Sequence, residues 1–380
     1  MPGPQRAGRF DIADIVRAHR AAFESSCALS TKQKRVLDDI ERCRTAALGG
    51  HLDSCMRCGY EHPSYNSCRN RHCPKCQALA QERWIAAQEA RTLDVRHFHV
   101  VFTLPEELRS LARFAPRVVY NALFRAASAT LLAFGRRRMD ATIGATLVLH
   151  TWKRDLGFHP HIHCIVTGGG LSPDGLRWVS AERRFLFPVA ALRRVVRGKL
   201  LDALRRAYDS GVFADFDDFR DPEAFDCLVR KLAKKNWHVY AKPSFGKSRH
   251  VLHYLGRYTH RVGLSNSRLL SVDAHAITFR TRGDGVATVT PVEFLRRFVA
   301  HVLPDSFHKI RHVGLAASDA KRDAARAVLG QRAPVTRRIS WYEHLLLLTG
   351  RDPTRCPRCG DPLVQSAIPR ARDPTRDIPS

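Results

Sequence analysis

Three sets of residues in this sequence have the types and the spacing to do chemistry. In GFHPHIHCIV, residues 157–166, His159, His161 and His163 alternate along a segment that reads as a strand. Residues two apart on a strand share a face, so three imidazoles would stand together. Such a group can hold a divalent cation, or it can be a set of half-buried histidines satisfied by hydrogen bonds. The second set is CMRCGYEHPSYNSCRNRHCPKC, where Cys55-x2-Cys58 and Cys73-x2-Cys76 are separated by fourteen residues. Each C-x2-C supplies two thiolates to one edge of a tetrahedron, and two such knuckles close a structural zinc site. Gly59 and Pro74 suit the knuckle turns, and the four cysteines are the expected ligands. Cys68 ranks first among the substitutes, ahead of His51, His62 and His72. The third set is Tyr254 and Tyr258 in SRHVLHYLGRYTHR. Four apart, they share one face of an expected helix. Tyrosine pairs at this spacing are commonly core packing. The neighbours His250, His253, Arg257, His260 and Arg261 instead give a basic, polar setting, which suits hydroxyls that attack phosphates.

The elements that must position these groups can be read from the periodicity. Helices are expected over 9–24 and 30–46, the second capped by Ser30, with ALGGH as a break. The cysteine cluster follows over 51–76, then a helix in QALAQERWIAAQEA. RHFHVVFTLP reads as a strand stopped by Pro105. PEELRSLARF and PRVVYNALFRAASATLLAF read as helices with Pro near the first turn. ATLVLHTW is a second strand and HIHCIVTGGG a third, ending on glycines. LRWVS and RFLFPV suggest a short hairpin, and ALRRVVRGKLLDALRRAY and DPEAFDCLVRKLAKK suggest helices. WHVYAK reads as a strand ahead of the tyrosine helix. A hairpin with Gly at its turn is expected in SRLLSVDAHAITFRTRGDGVATVT, then helices in PVEFLRRFVAHVL and over 317–329. The mixture is α+β with antiparallel pairs. The expected division is a helical and zinc-binding domain over 1–95, a catalytic domain over 96–330, and a basic tail over 331–380.

Composition narrows the function. The chain has 380 residues and 63 Lys plus Arg against 36 Asp plus Glu, a formal charge of +27. The basic residues are spread along the chain rather than held in a tail. A folded protein this basic suits a polyanion, and nucleic acid above all. No run of about 18 apolar residues is present, so no membrane span is expected. The N-terminus lacks the apolar centre of a secretory signal. The expected location is the bacterial cytoplasm, at the nucleoid. Eleven cysteines, an odd number, with C-x2-C spacing and no signal argue for metal rather than disulfides. Cys27, Cys43, Cys164 and Cys227 stand alone and read as buried thiols. Cys356-Pro-Arg-Cys359-Gly360 is half a site, which needs a distant pair or is a remnant. No Gly-x4-Gly-Lys-Ser/Thr phosphate loop occurs, so any unwinding falls to a host helicase.

On local spacing alone, HPHIHCIV fits both histidine-triad nucleotide hydrolases and HUH endonucleases, in which two histidines flank one apolar residue. The downstream tyrosines separate them. The sequence resembles the two-tyrosine HUH transposases of the rolling-circle insertion sequences, the insertion sequence 91 family. The matching pieces come in order: SCRNRHCPKCQ, HVVFTLP, HTWKRDLGFHPHIHCIVTGGG, YAKPSFG, VLHYLGRYTHRVGLSNSRL and FLRRFVAHVLPDSFHKIRHVG. They span roughly residues 10–360. The resemblance implies an HUH-like antiparallel sheet with flanking helices. It implies that His161 and His163 hold Mg²⁺ or Mn²⁺, with Asp155 nominated as third ligand and His150 as the other candidate. Tyr254 and Tyr258 become nucleophiles that form a 5′-phosphotyrosine, with Lys242 and Arg257 as phosphate clamps. The implied partner is DNA, as single-stranded or hairpin element ends and target. Two other functions share these features in part. A rolling-circle replication initiator or relaxase would act at a plasmid origin. A non-catalytic zinc DNA-binding protein would need neither tyrosine.

Overall fold

The computed structural model describes residues 10–76, 78–182, 186–219, 221–243, 256, 263–332 and 340–371. Two helices come first, α1 (Ile12–Ser26) and α2 (Thr31–Arg42). Asp11 caps α1 by accepting from the Ala13 N–H. Ser30 and Gln33 form a reciprocal capping box on α2. The cysteine-rich stretch is not irregular throughout. It carries a hairpin, β1 (Gly50–Ser54) and β2 (Glu61–Tyr65), which the sequence reading did not anticipate. Helix α3 (Ala78–Arg91) leads out of it to strand β3 (His97–Thr103).

Helices α4 (Arg109–Phe114) and α5 (Pro116–Met139) precede the long strands β4 (Thr142–Trp152) and β5 (Phe158–Leu171). The short β6 (Trp178–Ser180) pairs back onto β5. Of the expected partner strand RFLFPV, Arg184 and Phe185 lie outside the described residues, and Leu186 and Phe187 pack into the core ahead of α6. Helices α6 (Val189–Asp209) and α7 (Pro222–Lys234) lead to β7 (Val239–Pro243). Strands β8 (Leu269–Val272), β9 (Ile277–Arg280) and β10 (Val286–Val289) make a three-stranded sheet where a hairpin was expected. Helix α8 (Pro291–Val299), β11 (Ile310–Gly314), α9 (Asp319–Val328), α10 (Trp341–Thr349) and β12 (Val364–Ile368) complete the path.

The central sheet runs β11-β4-β5-β3-β7, with every pairing antiparallel and β6 added on β5. Strict alternation gives it two unlike faces. Phe98, Val100 and Phe102 of β3, Leu147 and Leu149 of β4, and Ile162, Cys164 and Val166 of β5 point into the main core. Val119, Leu123, Ala127 and Leu131 of α5 and Leu192, Val196 and Leu200 of α6 cover that face. Among the described residues α5 is the one helix long and apolar enough to cross a membrane, and its apolar side is used here. The opposite face carries His99, His150, His161 and His163. Further along it, Trp84 of α3 packs on Val148 and Ile165.

A second core joins α1 and α2 to α8 and the three-stranded sheet. Ile12, Val16, Phe23, Leu37 and Ile40 meet Ile277, Phe279, Phe294 and Phe298. The chain end returns to the beginning, where β12 pairs antiparallel with β1, from Gly50 opposite Ile368 to Ser54 opposite Val364. Two glycines are sterically required in the central sheet. A Cβ on Gly169 would meet the Trp178 indole at 2.5 Å, and one on Gly170 the Thr142 carbonyl at 2.7 Å. The glycine run of β5 therefore lets β4 and β6 close on both sides.

Candidate functional site

The alternation in HPHIHCIV places three imidazoles in sequence along one face of β5. Ring centroids are 5.3 Å apart for His159 and His161 and 4.8 Å for His161 and His163. The neighbouring strands add two more. His150 of β4 lies directly opposite His161 in the register, its ring 4.3 Å from that of His163. His99 of β3 stacks on His163 with the ring planes 11° apart. A register shift between His150 and Trp152 puts an irregularity in β4 beside the cluster, a common device for re-aiming side chains near sites.

One hydrogen bond determines the tautomer of His161, and a second allows the matching tautomer of His163. His161 Nδ1–H donates to the His159 carbonyl at 2.7 Å, which leaves the lone pair on Nε2. His163 Nδ1 meets His99 Nε2 at 2.8 Å. With that proton on His163 Nδ1, His163 Nε2 also carries a lone pair. The two Nε2 atoms face each other at 3.0 Å. Two adjacent ligands about 2.1 Å from an octahedral cation stand ~3.0 Å apart, so the pair matches a metal's edge. Partners on the far ring nitrogen are the usual means of orienting metal-binding histidines. Burial lowers the pKa of His161, and lowers those of His150 and His163 well below the ordinary histidine value, with neighbouring imidazoles adding to the shift for the latter two. All three stay neutral at pH 7, the form that binds metal.

His150, His161 and His163 have ligand atoms mutually within 4.8 Å. Asp155, the nominated third ligand, is not in this group. It sits on the β4–β5 turn, where its carboxylate accepts the Gly157 N–H at 2.9 Å and shapes the turn around Leu156, at φ 62°. His150, the other candidate for third ligand, is the one brought to the pair. His159 contributes its carbonyl to His161, and its ring lies 3.4 Å from Arg109 Nη2. Lys242 is exposed on β7 directly opposite His99, its ammonium 5.5 Å from the Tyr240 ring centre. Tyr254, Tyr258 and Arg257 lie outside the described residues. Gly256 between them is helical and buried, and a Cβ there would meet Ile85 of α3 at 2.6 Å.

The cysteines form two groups rather than one. Cys43, Cys68, Cys73 and Cys76 come together, and Cys55, Cys58, Cys356 and Cys359 form the other. The expected site of Cys55, Cys58, Cys73 and Cys76 is therefore split. The physical reason is the β1–β2 hairpin: it carries the first knuckle to its tip, beside the chain end that β12 brings back. The second knuckle stays at the end of α2, where Cys43 is the C-cap residue. Cys43 Sγ is 3.1 Å and Cys68 Sγ 3.6 Å from Cys76 Sγ. Four thiolates about 2.3 Å from one zinc stand ~3.8 Å apart, close to these spacings. Hydrogen bonds from Cys43, Cys68 and Cys73 hold Cys76 far below the ordinary thiol range. Hydrogen bonds from Cys68 and Cys73 to the Cys43 sulfur bring Cys43 to about 7. His72 is no substitute ligand: its ring accepts the Leu303 N–H and its Nδ1 pairs with Asn70. Arg71 donates to the Phe307 and Pro304 carbonyls, docking the stretch on the loop after α8.

Comparison with known proteins gives the family. Residues 144–324 match a family model described as "Putative transposase", and residues 15–104 one described as "Transposase zinc-binding domain". The chain is 42% identical over 368 residues to "Putative transposase y4qJ" of Sinorhizobium fredii, covering 92% of each chain. It is 30% identical over 358 residues to "Transposase for insertion sequence element IS801" of Pseudomonas savastanoi pv. phaseolicola, covering 86% of this chain and 81% of that one. No solved structure matches. The chain belongs to the insertion sequence 91 family of transposases, and it carries that family's zinc-binding domain.

Proposed function

We propose that this transposase cuts and rejoins single-stranded DNA through a 5′-phosphotyrosine, as in rolling-circle transposition. The observation that carries the reading is the pair of Nε2 atoms of His161 and His163, facing at 3.0 Å, each with its Nδ1 engaged by a fixed partner. His161, His163 and His150 would hold Mg²⁺ or Mn²⁺, which when bound polarises the scissile phosphate and stabilises charge on the leaving oxygen. The phenolic oxygen of Tyr254 or Tyr258 forms the new bond to phosphorus. The bond from phosphorus to the 3′ oxygen breaks, and that oxygen leaves as a 3′-hydroxyl after taking a proton. The free hydroxyl later attacks the phosphotyrosine in reverse, so the bond energy is kept and no ATP is needed. Two tyrosines allow two strand events, one for each end or one for the target.

Support for the tyrosines' proximity comes from their shared neighbour. Gly256 packs on α3, and Trp84 of α3 packs on Val148 and Ile165, which lie on the histidine face of the sheet. Lys242, exposed on that face, and Arg257 would clamp phosphates. The exposed Tyr240 ring, edge-on to His99, would offer its face to a base or sugar of a single strand. The zinc of the zinc-binding domain would be held by Cys43, Cys68, Cys73 and Cys76, with a structural role.

The test is a covalent-adduct assay with labelled single-stranded DNA carrying an element end. A denaturation-resistant band should need Mn²⁺ or Mg²⁺ and vanish in the Tyr254→Phe, Tyr258→Phe double variant and in His161→Ala. An adduct that persists in the double variant, or DNA binding with no adduct on a verified end, refutes the reading.

A further inference from the structure

The hairpin tip and the chain end hold a second cysteine group whose geometry is that of two facing zinc knuckles. Both read Cys-x-Arg-Cys-Gly: Cys55-Met56-Arg57-Cys58-Gly59 and Cys356-Pro357-Arg358-Cys359-Gly360. Their backbones fold alike. The Cys55 N–H donates to the Tyr60 carbonyl at 2.8 Å, and the Cys356 N–H to the Asp361 carbonyl at 2.7 Å. The Gly59 N–H returns to the Cys55 carbonyl and the Gly360 N–H to the Cys356 carbonyl. Both glycines have positive φ, +64° and +82°, as a knuckle turn requires.

The two halves also contact each other reciprocally. Arg57 of the first knuckle reaches Asp361 after the second at 3.1 Å. Arg358 of the second lies over Tyr60 after the first, 5.3 Å from its ring centre. The sulfurs meet across this pseudo-twofold arrangement, Cys55 to Cys359 at 3.4 Å and Cys58 to Cys356 at 3.5 Å. β12 continues the contact along the full length of β1, and Gln365 donates to the Asp53 carboxylate at 2.7 Å. Four thiol sulfurs brought together by two knuckles, with no disulfide formed, fit one tetrahedral zinc.

We propose that Cys55, Cys58, Cys356 and Cys359 bind a second structural zinc, which staples the C-terminal segment to the first hairpin. Half of its ligands lie beyond residues 15–104, the stretch that matches the zinc-binding domain. Cys58 and Cys356 are 298 residues apart, so the staple closes most of the chain into one loop, and metal clips that close long loops restrain the unfolded chain most. The site is separate from the histidine cluster, and its metal count does not depend on strand transfer.

The experiment is zinc analysis of the purified full-length protein by mass spectrometry. Wild type should carry two zinc ions per chain, and the Cys356→Ser, Cys359→Ser variant one. Amide exchange in Val364–Ile368 should rise at least about ten-fold in that variant while β4 and β5 keep their protection. One zinc in wild type and no loss in the variant overturns the proposal, as does unchanged protection of β12. Cobalt substitution of wild type decides the case in which the variant fails to fold. Thiolate-to-cobalt absorbance at saturation should equal two four-thiolate sites. Absorbance of one site overturns the proposal.

Discussion

Replacing His99 with phenylalanine isolates one link in the proposed metal site. The phenyl ring keeps the stacking on His163, where the planes are 11° apart, and the edge contact with Tyr240. It removes the nitrogen that faces His163 Nδ1 at 2.8 Å. His163 is then free to rotate or to move its proton to Nε2, the atom aimed at His161. Loss of such an orienting partner weakens metal binding about 10–100-fold, or ~1.4–2.7 kcal/mol. Mn²⁺ affinity measured by calorimetry on folded protein reads this directly. His99→Gln offers an amide oxygen as acceptor and should recover most of the loss. An Mn²⁺ affinity for His99→Phe within about two-fold of wild type would refute the orienting role. So would a His99→Gln variant as weak as His99→Phe.

Cys43→Ser should cost one zinc per chain, whereas Cys27→Ser should cost none, as metal analysis will read; Cys27 belongs to neither cysteine group. Gly314→Ala should lower Tm by several degrees. Its φ is +60° and a Cβ would lie 1.9 Å from the Ile143 carbonyl, so the cost should exceed about 2 kcal/mol. His97 and His301 are held down to about 4 by burial. Their unfolded forms bind protons first as pH falls, so stability is full above about 6.5 and is lost between about 6.5 and 4, by up to ~1.4 kcal/mol per pH unit per group. Urea titrations at pH 7 and pH 5 should differ accordingly, and less so in His301→Gln. Lys242→Ala should weaken single-stranded DNA binding and reduce the salt slope by about 0.7, measured by anisotropy across a salt series.

The central sheet was legible because its strands alternate. HPHIHCIV shows both faces at once: His161 and His163 outward, Ile162 and Cys164 inward. His99 and His150 carry the same signal in RHFHVVFTLP and ATLVLHTW, but their convergence depends on register, which pairs His150 with His161 across strands. Asp155 is not grouped with the histidines, because its carboxylate is engaged by the backbone of its own turn at Gly157. The expected cysteine pairing failed for a different reason. Nearest knuckles in sequence were joined, while the β1–β12 pairing brings together residues about three hundred apart. The repeated Cys-x-Arg-Cys-Gly at 55 and 356 was the available sign, since Cys73-Pro-Lys-Cys76 lacks the final glycine. Cys43 gave no local sign, because a lone cysteine at a helix end gains its partners only from the fold.

Strand transfer through a phosphotyrosine is read most directly with an element-end strand carrying different labels on either side of the cleavage point. The protein should keep the fragment 3′ of the cut, linked through its 5′-phosphate. Mass analysis of the digested adduct should then find nucleotide on a peptide containing Tyr254 or Tyr258. The other fragment should end in a 3′-hydroxyl that a polymerase can extend. Cleavage that leaves both fragments free of protein, or a link to any residue other than these two tyrosines, would contradict it.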